Sequence, residues 1–359
     1  MYVITGSSAL RLLRTIRCGA YFGATVRFTK AASAPDALDQ DSVVVDTRVD
    51  LERFGDYGAF SKHDPLELGT FSRNRRPPLK SVHVRLLNAE LPEGSFVRID
   101  PDLFISSPEL IACQMAKDAT VMQLAQLIME LCGSYSLRPL ADEDDCAFQI
   151  EAVTTVERIR AFANQVPRIP GRAKLKAALD LALDDSASPA ETWLALSMGT
   201  PIDQGGWGLG PFVMNRQVKA PEHLAPYVTR STCYVDVYSP VLHAGFEYMG
   251  ANWHLDPALA GMVTGAWLDQ WRREQASKAT DDLRRLRDLQ SIGVAIIPVT
   301  AADLRTPEAA DRIAWAMAHA GEQRGAWDTQ AWLASLDMAT GRIARSRLLD
   351  ELSPGNELY

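Results

Sequence analysis

The chain is poor in cysteine: among 359 residues there are five thiols, at positions 18, 113, 132, 146 and 233, with no C-x-x-C pair. An odd, scattered set excludes a disulfide framework and a cysteine-based zinc site. Long apolar runs are missing too. The charge-free stretch from Pro257 to Leu268 falls well short of the roughly 20 residues that cross a bilayer, so no membrane segment is expected. Positive charge is in the minority, 37 Lys and Arg against 45 Asp and Glu, for a net charge of −8. The molecule as a whole therefore exerts no long-range attraction on nucleic acid, and any such contact must come from a local basic surface. Met1 to Gly19 spreads Arg11, Arg14 and Arg17 through its length without the ordered zones of a secretory signal. A cytoplasmic location is the expectation.

What is present is ordinary for a globular chain, 47% hydrophobic and 23% charged, and the length suits two domains or three. In the first half, Ser7 and Ser8 stand where they could cap an apolar stripe through Leu10, Leu13 and Ile16, and Tyr21 to Phe28 has strand composition. Val43–Val45, Val82–Arg85 and Phe96–Asp100 alternate with turn residues and predict a small sheet. Between them Arg73, Arg75, Arg76, Lys80 and Arg85 occur with no acid from Phe71 to Asn88, which reads either as a solvated rim or as a phosphate-contacting patch. Ser107-Pro108-Glu109 is a helix start, a good N-cap followed by the one helical position that tolerates proline. Apolar positions run on from there to Leu131. The acidic Asp142–Asp145 lacks the alternation of a calcium loop.

Breaks at Pro167, Pro170 and Gly171 and at Asp184–Ser188 mark a boundary. We place an α+β domain over residues 1–165, a mixed α/β domain over 172–322 and a helical extension over 327–352. In the second domain the order is helix (Pro189–Met198), glycine-rich loop (Gly205–Gly210), three strands (Phe212–Val218, Cys233–Tyr238, Gly245–Met249), long helix (Met262–Gln290), strand (Val294–Thr300) and helix (Pro307–Ala320). Val294-Ala295-Ile296-Ile297 has no polar residue on either face, so a strand covered on both sides is expected. The loop Gly206–Gly210 imitates part of a dinucleotide fingerprint but does not follow a strand or open a helix. Trp267, Trp271, Trp315, Trp327 and Trp332 fall on helical segments and suit a core or a subunit interface.

Carboxylates in strand interiors need a reason, because burying one unpartnered costs several kcal/mol or forces protonation. Asp236 and Glu247 are two such acids on successive strands joined by the turn at Ser239-Pro240. Alternation puts Asp236 on one face with Tyr234 and Tyr238, and Val235 and Val237 on the other. Two acids at that separation repel unless a cation lies between them, and magnesium accepts carboxylate and water oxygens. His254 follows seven residues later as a proton donor or phosphate contact. Glu191 stands three residues after Ser188, a spacing that serves a capping box equally well. Glu247 could instead pair with an arginine of the long helix.

The ordered series Ser188–Glu191, Tyr234–Pro240, Phe246–His254, Asp282–Arg285 and Ser291–Thr300 resembles the very-short-patch-repair-like endonucleases of the PD-(D/E)XK nuclease superfamily, over roughly residues 175–320. The resemblance implies a restriction-endonuclease-like mixed sheet flanked by helices and metal-dependent hydrolysis of DNA phosphodiesters in repair, restriction or phage defence. It implies Glu191, Asp236, Glu247 and His254 as catalytic residues, with Asp236 and Glu247 holding Mg or Mn, and Gly250 as the glycine after the second acidic strand. DNA would be contacted by Arg73, Arg75, Arg76, Lys278, Arg284 and Arg285. The superfamily pattern has lysine two residues after the second acid, where this chain has Met249, whose thioether is a poor ligand for a hard cation. Lys278, Arg284 or Arg285 are the cations placed to substitute.

In the first half, the basic segment, Val82–Arg85 and Ile105–Ala112 resemble the C-terminal part of AbiEi-type abortive-infection antitoxins. That resemblance implies a different class of function: a nuclease-fold binding or regulatory protein without catalysis, partnered by a toxin. A homo-oligomer built through the aromatic helices is a third expectation.

Overall fold

The computed structural model describes residues 1–19, 43, 60–72, 80–88, 90–137, 146–249, 280–336 and 339–353. The described residues form an α+β fold that divides into two compact units, Met1–Pro189 and Ala190–Ser353.

The first unit holds a five-stranded mixed sheet. Its strands are β1 (Tyr2–Ile4), β2 (Leu66–Thr70), β3 (Val82–Leu86), β4 (Phe96–Asp100) and β5 (Leu103–Ser106), in the order β3-β2-β1-β5-β4. Val82–Arg85 and Phe96–Asp100 are strands, as their patterns indicate. A strand no pattern announced, β1, precedes helix α1 (Gly6–Arg17). The start of α1 differs from the expected serine cap. Ser7 and Ser8 lie inside the first turn, and Gly6 carries a left-handed φ of 58°. The exposed amides are met from elsewhere: Ser7 N–H donates to Glu67 Oε2 at 2.9 Å and Gly6 N–H to Gln114 Oε1 at 2.9 Å. A side chain at Gly6 would overlap the Glu67 carboxylate. The cap is therefore tertiary, and no local motif could reveal it. Tyr21–Phe28, Val44–Val45 and Asp142–Asp145 lie outside the described residues.

Ser107 does cap α2 (Pro108–Met115), its hydroxyl accepting from Leu110 N–H at 3.2 Å. The apolar run beyond it is two helices, because Thr120 starts α3 (Val121–Leu131) with a reciprocal box to Gln123. After the two-stranded pair β6 (Tyr135–Ser136) and β7 (Ala147–Phe148) come α4 (Val156–Gln165) and α5 (Arg172–Leu181). The expected boundary near 165–172 moves to Pro189. Leu175, Ala178 and Leu179 of α5 are buried, and the helix packs on α2, α3 and α4, so it completes the first unit's core.

The second unit begins with α6 (Pro189–Gly199), followed by β8 (Val213–Lys219), β9 (Thr232–Ser239) and β10 (Ala244–Tyr248) as an antiparallel meander. Helical residues 280–291 (α7) lead to β11 (Ala295–Val299), which pairs parallel with β10. The sheet order is β11-β10-β9-β8. Then come α8 (Pro307–Glu322), packed on β10 and β11, α9 (Thr329–Leu336) and α10 (Ala339–Leu352). The residues 327–352 are not a separate extension. Trp332 Nε1 donates to the carbonyl of Trp207 at 2.8 Å, and the Arg345 guanidinium lies 5.8 Å from the Trp207 ring centroid. Trp207 itself is fully buried and donates to Asp311 at 2.8 Å, so the glycine-rich loop serves the core.

Two strand expectations change. β11 is an edge of the sheet among the described residues, with Ile296 and Ile297 only partly buried and Pro298 exposed, rather than a strand covered on both faces. A proline fits an edge because it has no N–H to donate. Alternation along β9 is not strict either. Gly245 pairs with Tyr238, yet a side chain at Gly245 would strike Val235 Cγ1, and Tyr238 packs against the Cys233–Val235–Leu289 cluster. Val235 and Tyr238 thus reach one side of the sheet. Across from Asp236, Asn215 of β8 has a left-handed φ of 46°, while the β8–β9 register runs through unbroken.

Candidate active site

Glu191, Asp236 and Glu247 converge on the second unit's sheet. The β9–β10 hairpin pairs Ser239 with Ala244, Tyr238 with Gly245 and Val237 with Phe246, so the next step along the ladder sets Asp236 against Glu247. Asp236 Oδ2 accepts a hydrogen bond from Tyr248 N–H at 2.8 Å. Oδ1 takes none among the described residues. On the other side, Asn215 stands across from Asp236, between the pairs Met214–Val237 and Arg216–Val235. Its side-chain amide donates to Glu191 Oε2 at 2.9 Å. The Glu191 carboxylate thus reaches the sheet rather than only its own helix start.

Glu247 is fully enclosed. Its Oε2 is engaged by Arg285 NH2 from α7, and its Oε1 is buried with no hydrogen-bond partner. Burial pushes its carboxyl up to about 8, with the charges of Asp236 and Glu191 adding to the shift and Arg285 and the Asp236 backbone N–H opposing it. Asp236 is raised as well, first by burial and also by Asp282, against the Tyr248 N–H and Arg285. The ion pair and the raised value of Glu247 point in opposite directions. Burial governs, because one guanidinium contact does not replace the hydration of a wholly enclosed carboxylate that also faces a second acid.

Of the other residues named from the sequence, Arg284 lies on the surface, half exposed and 3.3 Å from Asp281. Arg285, one residue on, is the cation that reaches the acids. His254, Lys278, Arg73, Arg75 and Arg76 lie outside the described residues. Met249 continues the sheet, its N–H donating to Val299 at 2.7 Å. Sequence reasoning missed Asn215 and Asp288. The first has a faint signal, an amide inside a strand opposite an acid. Asp288 of α7 is buried and accepts the N–H groups of Thr229 and Arg230, both at 2.9 Å, anchoring the chain that enters β9 to the helix that carries Arg285.

Among the described residues no group of three or more His, Cys, Asp or Glu side chains is arranged to cage a metal ion. The donor set nonetheless fits a hydrated hard cation held by two carboxylates, since magnesium commonly keeps several waters and a bound cation would displace the proton that burial favours, leaving Glu247 Oε1 and Asp236 Oδ1 as anionic donors. No family model, no curated protein and no solved structure matches the chain.

Proposed function

We propose that the second unit is a metal-dependent phosphodiesterase acting on DNA, an endonuclease-type hydrolase of repair, restriction or phage defence. The observation that carries this reading is the buried, unpartnered Glu247 Oε1 beside Asp236. Its context supports it: a helix, three antiparallel strands, a helix and a parallel strand, with an acid on the first helix, the second strand and the third strand, in the order of the nuclease superfamily that the sequence resembles. Asp236 and Glu247 would hold Mg or Mn, which when bound supplies a polarised phosphoryl oxygen and a more acidic water. Glu191, steadied by Asn215, would orient water at the site, and Arg285 is the cation nearest the acids.

The test is plasmid DNA incubated with pure protein and magnesium or manganese. Cleavage that disappears in Asp236→Ala, with circular dichroism unchanged, is expected; cleavage that survives the substitution removes the assignment. A second reading, a nuclease-fold regulatory protein partnered by a toxin, is favoured by Met249 in the place of the superfamily's lysine. On that reading calorimetry detects no manganese binding that depends on Asp236.

A further inference from the structure

Among the described residues two arginine–glutamate pairs have a fully buried carboxylate, and they are built differently. In the first unit Arg14 and Glu130, each only 2% exposed, meet fork to fork, Nε on Oε1 at 2.9 Å and NH2 on Oε2 at 2.7 Å. Glu130 Oε1 also accepts from Leu137 N–H and Ser136 Oγ. The atoms of that contact are all partnered. Arg285 and Glu247 make a single contact, NH2 to Oε2, and leave two buried atoms with no partner, Arg285 Nε and Glu247 Oε1. An unpartnered Nε alone carries little weight, because Arg17, Arg85 and Arg345 show the same. Glu247 Oε1, however, is the only buried carboxylate oxygen without a partner among the described residues. A donor and an acceptor left open on the two halves of one ion pair call for two ligands of opposite sign. A cation satisfies Oε1, and an anionic oxygen satisfies Nε.

Resting on the hydrolase reading above, we infer that Arg285 is an exchangeable counter-ion: it holds Glu247 while the acids lack a divalent cation, and it turns to a phosphate oxygen of the DNA once the cation takes Glu247. The guanidinium suits both states because it is always charged and its planar fork matches carboxylate and phosphate alike. Its anchorage suits the exchange as well. Asp288, three residues further along α7, fixes the helix through Thr229 and Arg230, so the side chain can change partners while its backbone stays in place. Arg285 would thus contact DNA only in the cation-loaded protein, coupling the two binding events.

The experiment uses the full chain, calcium as a cation to load the site, and a fluorescent DNA duplex. Manganese binding is measured by calorimetry, and duplex affinity by anisotropy over a range of salt, with and without calcium, for wild type, Arg285→Met and Arg285→Lys. In wild type, calcium should steepen the dependence of log affinity on log salt by about 0.9, the increment for one added phosphate contact. Arg285→Met should lose that increment, weaken calcium-dependent DNA binding about tenfold, and bind manganese several-fold more tightly because a competing cation is gone. Arg285→Lys, which keeps the charge should Arg285→Met fail to fold, should retain the increment and the wild-type manganese affinity. An equal salt slope with and without calcium in wild type overturns the exchange while leaving the hydrolase reading intact. So does weaker manganese binding in a folded Arg285→Met, which would mark Arg285 as a scaffold for the acids. Wild-type protein that releases no heat with manganese overturns both.

Discussion

Glu247 shows how one side chain can set a pH dependence. Its carboxyl is raised to about 8 in the folded chain from an ordinary value near 4.5. Between those values the folded state keeps a proton that the unfolded chain releases, so this residue's contribution to stability is lost as pH rises through the window, at no more than about 1.4 kcal/mol per pH unit. Urea midpoints measured from pH 5 to pH 9 should fall in wild type. They should stay flatter in Glu247→Gln, which keeps the shape and cannot ionise; parallel curves would contradict the assignment. Cys113 illustrates the opposite consequence of burial. Its thiol is raised to about 12, chiefly by burial, and the thiolate is the reactive form. A thiol reagent applied to native protein at pH 8 should leave Cys113 unlabelled until denaturant is added.

At the scale of elements, the site depends on how α7 and the β9–β10 hairpin are held. Asp288→Ala would remove two hydrogen bonds to a charged acceptor from exposed N–H groups that water can then reach, and is expected to cost about 1–3 kcal/mol, with amide exchange at Thr229 and Arg230 accelerating more than exchange in β8. Gly245→Ala would drive a methyl into Val235 Cγ1 and crowd the Val237 carbonyl at 3.2 Å. A loss of about 1–3 kcal/mol, read as a lower melting temperature, is expected for such overpacking. The elements themselves were largely legible. The strands at Phe212–Val218, Cys233–Tyr238 and Gly245–Met249 match β8, β9 and β10 to within a residue or two, since their ends are written in turn residues and β-branched runs. What misled was apolar composition without context. Val294–Ile297 reads as central, yet its strand lies at an edge among the described residues, because composition reports how apolar a strand is and not how many neighbours it has.

Across the whole molecule, the two units carry opposite electrostatic liabilities. In the first, burial pushes Glu130 up, but the charge and hydrogen bond of Arg14, the charge of Arg17 and the Leu137 N–H outweigh it and hold the carboxyl low. That contribution is present above the ordinary carboxylate range and is lost as pH falls through the depressed value. The first unit should therefore weaken first in acid and the second first in alkali. Hydrogen exchange at pH 4 and pH 9, compared for α3 and for β9, checks this. Removing one partner, as in Glu130→Gln, leaves Arg14 buried without its counter-ion and should cost about 3–5 kcal/mol by urea denaturation of the first unit.

The linear chain determined on its own the α+β class, the order of the strands in the second unit, the Ser107 cap and the presence of two strand acids that local structure does not explain. These depend on neighbours within a few residues, where spacing and residue type act directly. Only the tertiary structure decided the rest. It showed that α5 belongs to the first unit, that Glu67 and not a serine caps α1, that Asn215 joins Glu191 to the sheet, and that Arg285 rather than Arg284 meets Glu247. Each of those contacts links residues distant in sequence or turns on which side of an element faces inward, and burial, which raises Asp236 and Glu247, exists only once the chain has closed around them.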